Sequence, residues 1–214
     1  MVVDAGTCQI YAVIEAGESA PERLAAVLGP QIASVLVTPA AGRALDAAAA
    51  RPLVEAAQKA GIAALIELDV DLARALRADG VHLRVAKDLA AAYDEARSRL
   101  GQRAIVGTDP GISRHDAMIA AEAGADYIAF GAPAHLNDRD KARGRRDELI
   151  AWWAEIFQVP CVAFDVESPR EAEALAAAGA DFLAVRLAAG TTPASARDLM
   201  AEIAAAIRQP QTTG

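Results

Sequence analysis

Charged and imidazole side chains follow the apolar runs of this chain, and their types could bind a small polar ligand or transfer a proton. Arginine inside an apolar run, as in "FLAVRLAA", is costly to bury without a partner. Guanidinium groups hold carboxylates and phosphates, and a nearby carboxylate can act as a general base. The polar residues at these positions are Thr38, Glu67, Asp69, His82, Arg84, Asp109, His135, Asp165, Glu167 and Arg186.

Two roles are assigned within this set as hypotheses. The candidate catalytic residues are His82, Asp109 and Asp69, and the candidate ligand-binding residues are Glu67, Arg84, Asp165, Arg186 and His135. The alternative is that the two arginines form structural salt bridges with the acids. A lone histidine at the end of a strand is equally compatible with a structural hydrogen bond. No HxH or HExxH spacing occurs, so we predict no metal site and no cofactor.

Short apolar runs that alternate with alanine-rich helical runs must position these residues. The runs predict strands at residues 9–15, 32–38, 63–68, 80–84, 104–108, 127–131, 160–164 and 182–187. They are apolar almost throughout, which is typical of strands covered on both faces in a parallel sheet. Eight strands that alternate with helices indicate a (β/α)8 barrel, with a doubly wound open sheet as the alternative. In a barrel, the polar residues would meet at the carboxyl ends of the strands.

Three similar segments, "ALRADGVHL", "AEAGADYIAF" and "AAAGADFLAV", mark the end of a helix and the start of the next strand. Their repetition follows from the barrel architecture and carries no chemistry by itself. No linker is evident, so we predict one barrel domain over residues 1–208 and a frayed tail at 209–214. The charged segment 137–148 is either a solvated loop and helix start or a lid over the barrel mouth.

Composition narrows the possible partners and location. The chain has 214 residues, of which 54% are hydrophobic, and it carries two cysteines and a net charge of −8. An acidic chain is a poor nucleic-acid binder, and no apolar stretch approaches the roughly 18 residues of a membrane span. The N-terminus lacks a basic region followed by an apolar one. Cys8 and Cys161 lie far apart, which suggests reduced thiols. We therefore expect a cytoplasmic protein that binds neither nucleic acid nor membrane.

Several segments, taken in order, resemble the thiamine phosphate synthase and TenI (thiazole tautomerase) family. They are "IYAVIE", "ALIELDVDLARALRADGVHL", "AIVGTD", "EAGADYIAFGAP" and "VPCVAFDVESPREAEALAAAGADFLAVRLAA". The resemblance covers residues 10–189 and implies a (β/α)8 barrel. The family's synthase joins a hydroxymethylpyrimidine diphosphate to a thiazole phosphate and releases diphosphate. That reaction uses a carboxylate-held magnesium ion, basic and hydroxyl groups on the diphosphate, and a glycine-rich turn on the thiazole phosphate.

The metal-binding positions implied by the resemblance carry other residues here. The family's magnesium-binding aspartate after strand three falls on Leu68, and its second carboxylate falls on Lys87. A lysine would repel the ion. Asp69 could take over the role of the aspartate only if the strand end shifted by one residue. Magnesium is therefore expected only if synthase activity is retained.

The phosphate-binding positions also differ from the family pattern. The Gln-x-Arg signature of strand two reads "SVLVTPAAG", the serine after strand five falls on or near Asp109, and the Thr-x-Thr-Lys lid reads "AHLNDRDK". The glycine pair after strand seven reads Phe164-Asp165, where an acid would repel a phosphate. Ala132 occupies the place of the TenI-type histidine. The element from Asp79 to His82 matches cleanly.

The residues and the resemblance together predict a divergent family member, nominally of thiamine biosynthesis, that lacks synthase activity. Two alternatives remain: an active thiamine phosphate synthase, or an enzyme that acts on another small polar ligand at the barrel mouth. A small polar or anionic ligand is expected as partner. Trp152 and Trp153, one packed against the barrel and one partly exposed, suggest a homodimer.

Overall fold

The fold is a closed barrel of eight parallel strands in the order of the sequence, β1 to β8. The computed structural model describes residues 8–84, 88–133 and 137–208. The strands are β1 Gln9–Glu15, β2 Ile32–Thr38, β3 Ala63–Glu67, β4 Gly80–Leu83, β5 Ile105–Thr108, β6 Tyr127–Phe130, β7 Cys161–Ala163 and β8 Phe182–Leu187. The helices are α1 Ala20–Val27, α2 Ala47–Lys59, α3 Val70–Leu76, α4 Leu89–Leu100, α5 Arg114–Glu122, α6 Arg139–Ile156, α7 Pro169–Ala177 and α8 Pro193–Ile207.

Pairing between the first and last strands closes the sheet. β1 pairs with β8 over six residues, from Gln9 opposite Phe182 to Ile14 opposite Leu187. This contact confirms the (β/α)8 prediction and excludes the open sheet. Three strands have the predicted bounds, and the other five are shorter by one or two residues. β3 ends before Leu68 because that residue turns into the left-handed region, with φ of 61°.

Two hydrophobic layers follow from the alternation of side chains along each strand. One set fills the barrel: Tyr11, Val13, Leu36, Leu65, Tyr127, Ala129, Val162, Phe164, Phe182 and Ala184. The other set packs between the strands and the helices and includes Ile10, Val35, Leu53 and Trp153. Strands buried on both faces explain why the sequence shows continuous apolar runs.

Side-chain caps begin seven of the eight helices and fix where each loop ends. Each cap accepts a hydrogen bond from the amide three residues on; the caps are Asp46, Asp69, Asp88, Ser113, Asp138, Ser168 and Thr192. Ser168 and Thr192 each precede a proline at the first helical position.

Three further findings bear on the predicted class. Among the described residues, no helix is long and apolar enough to cross a bilayer. Cys8 and Cys161 are free thiols, and burial raises the pKa of each to about 12, so both are unreactive at neutral pH. Trp153 is buried against the barrel while Trp152 is half-buried, as predicted. The N-terminal residues 1–7 and the tail 209–214 lie outside the described residues.

Candidate functional site

A cleft of about 360 Å³ opens at the carboxyl ends of the strands, above the barrel interior. On several strands the inward-facing positions run from apolar residues up to a polar one, as in Tyr11, Val13 and Glu15 of β1. The same period of two brings Glu67, Arg84, Asp109 and Arg186 to the axis. The full lining is Glu15, Glu67, His82, Arg84, Asp109, Pro133, Phe164, Asp165 and Arg186.

Both arginines of the cleft are paired with a glutamate. Arg84 Nη1 lies 3.2 Å from Glu67 Oε1, and Arg186 Nη1 lies 3.3 Å from Glu15 Oε1. The arginine side chains are 44% and 39% exposed, so each pair contributes little to stability. Each guanidinium keeps further N–H donors that a ligand anion could use. The Arg84–Glu67 pair is one of the predicted salt bridges, whereas Arg186 pairs with Glu15, an acid outside the predicted set.

Two more carboxylates enter the cleft without a cationic partner among the described residues. Asp109 Oδ1 accepts a hydrogen bond of 2.7 Å from Gly111 N. Burial is the main cause that raises the pKa of Asp109 to about 6; Asp165 and Glu67 add to the rise, while the Gly111 amide and Arg84 oppose it. An acid that titrates near neutral pH is suited to general acid–base catalysis.

His82 lies at the floor of the cleft and is almost fully buried. Its Nδ1 atom lies 2.9 Å from the Tyr127 hydroxyl, which lies 2.9 Å from the Tyr11 hydroxyl. Phe164 stacks on the imidazole, with ring centroids 4.8 Å apart and planes inclined by 15°. Burial, with the charge of Arg84, lowers the pKa of His82 to about 3, so the ring is neutral at physiological pH.

The loop between β7 and α7 carries Phe164 and Asp165 into the cleft. Asp165 has a φ of 59°, a left-handed conformation that aspartate tolerates better than most residues. Its Oδ2 atom accepts a hydrogen bond of 3.1 Å from Ala132 N. A Cβ added at Gly131 would lie 2.9 Å from that same oxygen, so glycine there allows the close approach of the two loops.

Buried Arg146 of α6 holds this loop from behind. Its Nη1 atom donates to the carbonyl oxygens of Phe164 and Asp165, at 3.0 and 3.2 Å. Its Nη2 atom donates to Glu171 and Asp147, at 2.7 and 2.9 Å. The guanidinium therefore fixes the backbone of the two residues that close one side of the cleft.

A second buried arginine, Arg23 of α1, holds the opposite side of the mouth. It donates to the carbonyl oxygens of Glu15 and Ala189, at 2.6 and 3.1 Å. The Glu15 carboxylate in turn accepts a hydrogen bond of 3.0 Å from Ala189 N. The ends of β1 and β8 are thus tied together, and Glu15 is held where it can pair with Arg186.

The structure brings together six of the eight residues assigned from the sequence: Glu67, His82, Arg84, Asp109, Asp165 and Arg186. Asp69 does not line the cleft, because its exposed carboxylate caps α3 by accepting a hydrogen bond of 2.8 Å from Leu72 N. That placement speaks against a catalytic role for Asp69 and against its replacing the aspartate missing at Leu68. His135 lies outside the described residues.

Sequence reasoning missed Glu15 and the Tyr11–Tyr127 pair. Glu15 ends the first predicted strand on the same parity as Tyr11 and Val13, so the period of two could have placed it at the mouth. The tyrosines looked like ordinary core residues. Only their closeness across the barrel, which no spacing in the sequence shows, reveals the chain of hydroxyl groups.

Within the described residues, no three His, Cys, Asp or Glu side chains come close enough to hold a metal ion by themselves. Leu68, at the position of the family's aspartate, is 56% exposed and faces a separate groove lined also by Asp69, Asp71 and Arg99. Lys87 lies outside the described residues.

The charged segment 137–148 contains the N-cap and the first half of α6, and it is not an extended loop. Arg139 and Arg143 each lie 2.5 Å from a carboxylate oxygen of Glu167. Glu167 therefore faces the groove between α6 and α7, a wide surface depression of about 750 Å³, and not the cleft. The charged side chains that line this depression are largely paired with one another. Whether this segment also acts as a lid stays a prediction.

Comparison with known proteins places the barrel in a family. A profile of the family described as thiamine monophosphate synthase matches residues 10–189. The chain belongs to this family. A thiamine-phosphate synthase of Erythrobacter litoralis is 40% identical over 161 residues, 73% of this chain and 74% of the relative. One of Rhodospirillum centenum is 42% identical over 135 residues, 63% of this chain and 62% of the relative.

Solved structures support the fold alone, because their sequences are distant. A thiamine phosphate pyrophosphorylase from Pyrococcus furiosus superposes with a TM-score of 0.71 at 20% identity, over 94% of this chain and 96% of that one. GGGPS from Thermoplasma volcanium gives a TM-score of 0.67 at 14% identity, over 94% and 93% of the two chains. The resemblance noted from the sequence is thus confirmed for family and fold.

Proposed function

We propose that this member of the thiamine phosphate synthase/TenI family binds a small polar ligand in the cleft at the barrel mouth and does not couple a pyrimidine diphosphate to a thiazole phosphate. The observation that carries the proposal is the charge of the cleft. Four carboxylates line it, and its two arginines are each already paired with one of them. Such a cleft repels a diphosphate that no metal ion neutralises.

The loop after β7 supports the same conclusion. Where the family pattern has a glycine pair, Phe164 places its ring on His82 and Asp165 directs a carboxylate toward the Ala132 amide. The Ala132 amide is therefore already bonded to a carboxylate and is not available to a ligand anion. A compact ligand with hydrogen-bond donors for Asp109 and Asp165, and at most a small anionic group for the arginines, fits the remaining polar atoms.

The position of Asp109 supports a second candidate, an enzyme that transfers a proton on such a ligand. Its raised pKa, about 6, leaves it partly protonated near neutral pH, and it lies in the same cleft as the neutral His82. The third candidate, an active synthase, has support from the names of the relatives, which are thiamine-phosphate synthases. Loss of the carboxylate at Leu68 stands against it.

Titration calorimetry on the purified chain tests the proposal. The ligands are thiazole phosphate, diphosphate with and without magnesium, and thiamine phosphate, followed by the coupling assay with both substrates. We expect no magnesium-dependent binding of diphosphate and no coupling. Micromolar, magnesium-dependent binding of diphosphate, or turnover that Arg84→Gln abolishes while the surface variant Arg74→Gln does not, would show that the synthase site is intact.

Two further expectations go with this function. The thiamine-family chemistry suggests a cytoplasmic location, and the exposed apolar side chains of Ile112, Met118 and Ile156, together with half-buried Trp152, suggest a homodimer. Sedimentation equilibrium on the full chain tests the dimer. A single species at the monomer mass of 22.2 kDa across the micromolar range would exclude it.

A further inference from the structure

Three polar side chains form a continuous hydrogen-bonded chain inside the barrel. The hydroxyl groups of Tyr11 and Tyr127 are 2.9 Å apart, and the Tyr127 hydroxyl is 2.9 Å from His82 Nδ1. All three residues are almost fully buried. No other described residue bonds to either hydroxyl or to the second ring nitrogen, Nε2, and the ring borders the cleft.

The chain can be protonated in two directions, and they differ in how many buried donors find an acceptor. If Tyr11 donates to Tyr127 and Tyr127 donates to Nδ1, both hydroxyl protons are used and the ring proton sits on Nε2. If Nδ1–H donates to Tyr127 and Tyr127 donates to Tyr11, the Tyr11 proton has no acceptor. A buried hydroxyl proton without an acceptor is unfavourable, so the first direction is favoured.

The surroundings hold the imidazole in one orientation and keep it neutral. The rings of His82 and Tyr127 are nearly parallel, with planes inclined by 8°, and Phe164 stacks on the imidazole. The absence of a side chain at Gly107 leaves the space that the Tyr127 ring occupies, because a Cβ there would lie 1.9 Å from the ring. Arg84, on the same strand end, disfavours a charged imidazole.

We propose that Tyr127, whose hydroxyl accepts a hydrogen bond from Tyr11, is a positioning residue that fixes His82 as the neutral Nε2–H tautomer and so makes it a hydrogen-bond donor to the cleft. His82 then serves neither as a base nor as a cation. The group of the ligand that meets it is an acceptor, such as a carbonyl oxygen or an unprotonated ring nitrogen, while Asp109 and Asp165 accept from the ligand's donors. Only this ligand assignment rests on the function proposed above, because the tautomer belongs to the free protein.

Nitrogen-15 NMR of the full chain with labelled histidine measures the tautomer directly, because protonated and bare ring nitrogens resonate far apart. The chain has three histidines, and the His82→Asn variant identifies which signals belong to His82. We expect a bare, hydrogen-bonded Nδ1 and a protonated Nε2 that do not change between pH 5 and 8. A proton on Nδ1, or a charged ring in that range, would overturn the proposal.

Three tyrosine variants separate positioning from a general loss of packing. Tyr127→Phe is expected to shift the Nδ1 resonance toward that of an unbonded nitrogen. Tyr11→Phe should keep the Nε2–H tautomer, since Nδ1 is still the acceptor for Tyr127. Tyr93→Phe removes the hydroxyl of another buried tyrosine, which donates to Gly124 O on the outer layer, so it should leave both His82 signals unchanged. An Nδ1 signal insensitive to Tyr127→Phe would refute the role of the hydroxyl.

Two probes test the ligand class on the same sample. Acetamide offers a carbonyl acceptor, whereas methylammonium offers only donors. We expect the Nε2 resonance to move on saturation with acetamide and to stay fixed with methylammonium. Movement with methylammonium alone would overturn the assignment of His82 as a donor to ligands. Magnesium-dependent binding of diphosphate would overturn the proposed function but would leave the tautomer result unaffected.

Discussion

Replacing Arg146 by methionine keeps most of the side-chain length but removes a guanidinium that makes hydrogen bonds to four groups. It leaves the carbonyl oxygens of Phe164 and Asp165 and the carboxylate of Glu171 without that partner. The Glu171 side chain is only 15% exposed, so its charge stays partly desolvated. Removing one partner of such a buried ion pair costs about 3–5 kcal/mol.

Besides lowering stability, the substitution should change the shape of the cleft. Asp165 holds a left-handed φ, and the carbonyl bonds to Arg146 are part of what keeps the loop in that conformation. Without them, the loop can relax, and Phe164 can leave the face of His82. For a chain of this size, a loss of 3–5 kcal/mol lowers the melting temperature by about 10 °C.

Urea unfolding, followed by circular dichroism, measures the loss as a shift of the midpoint at unchanged slope. The matched control is Arg145→Met, one residue earlier on α6, where the side chain is 40% exposed and pairs with Glu148 on the same helix. That pair is worth at most about 0.5 kcal/mol. Equal, small losses in the two variants would refute the reasoning that Arg146 anchors the loop.

For four other substitutions, the structure predicts whether the protein becomes more or less stable. Because burial raises the pKa of Asp109 to about 6 from 3.8, the native state binds more protons than the unfolded chain between those pH values, so stability falls as pH rises through that window. Asp109→Asn should remove this fall and stabilise the protein by roughly 1–3 kcal/mol at pH 7, as urea midpoints at pH 4 and 7 would show. Gly107→Ala should destabilise by about 1–3 kcal/mol by displacing Tyr127, whereas Gly144→Ala, at an open helical position, should stabilise by about 0.5–1 kcal/mol; calorimetric scans compare the two. Leu68→Gly should raise the melting temperature slightly, because it removes a left-handed leucine that costs roughly 1–2 kcal/mol; a clear fall would contradict that strain.

The fold could be predicted from the sequence because both faces of every strand are buried. Continuous apolar runs alternate eight times with helices, seven of which begin at a side-chain cap, and that pattern is local enough to recognise. Closure of the barrel was inferred from the number of units. Strand ends were less certain, since residues such as Leu68 and Phe164 are apolar but lie in turns or loops rather than in the ladder.

The site was only partly predictable for a related reason. Glu67, Asp109 and Asp165 could be predicted as site residues because they lie at or just after the end of a strand, and the carboxyl ends of all strands meet at the mouth. Position alone could not tell a carboxylate that enters the cleft from one that caps a helix, which is the difference between Asp165 and Asp69. It also gave no sign that Arg146, in a segment that reads as solvated, is buried.

Membership in the family does not by itself decide which reaction this chain performs. The family profile matches residues 10–189, a stretch that contains nearly all of the eight strands. The positions that the resemblance assigns to magnesium and phosphate are few. At Leu68, the packing of the fold does not require the residue that is present. Leu68 is exposed and adopts a backbone conformation that aspartate tolerates better, so packing does not explain a leucine there. A carboxylate would fit the same exposed backbone position, so stability does not account for the leucine.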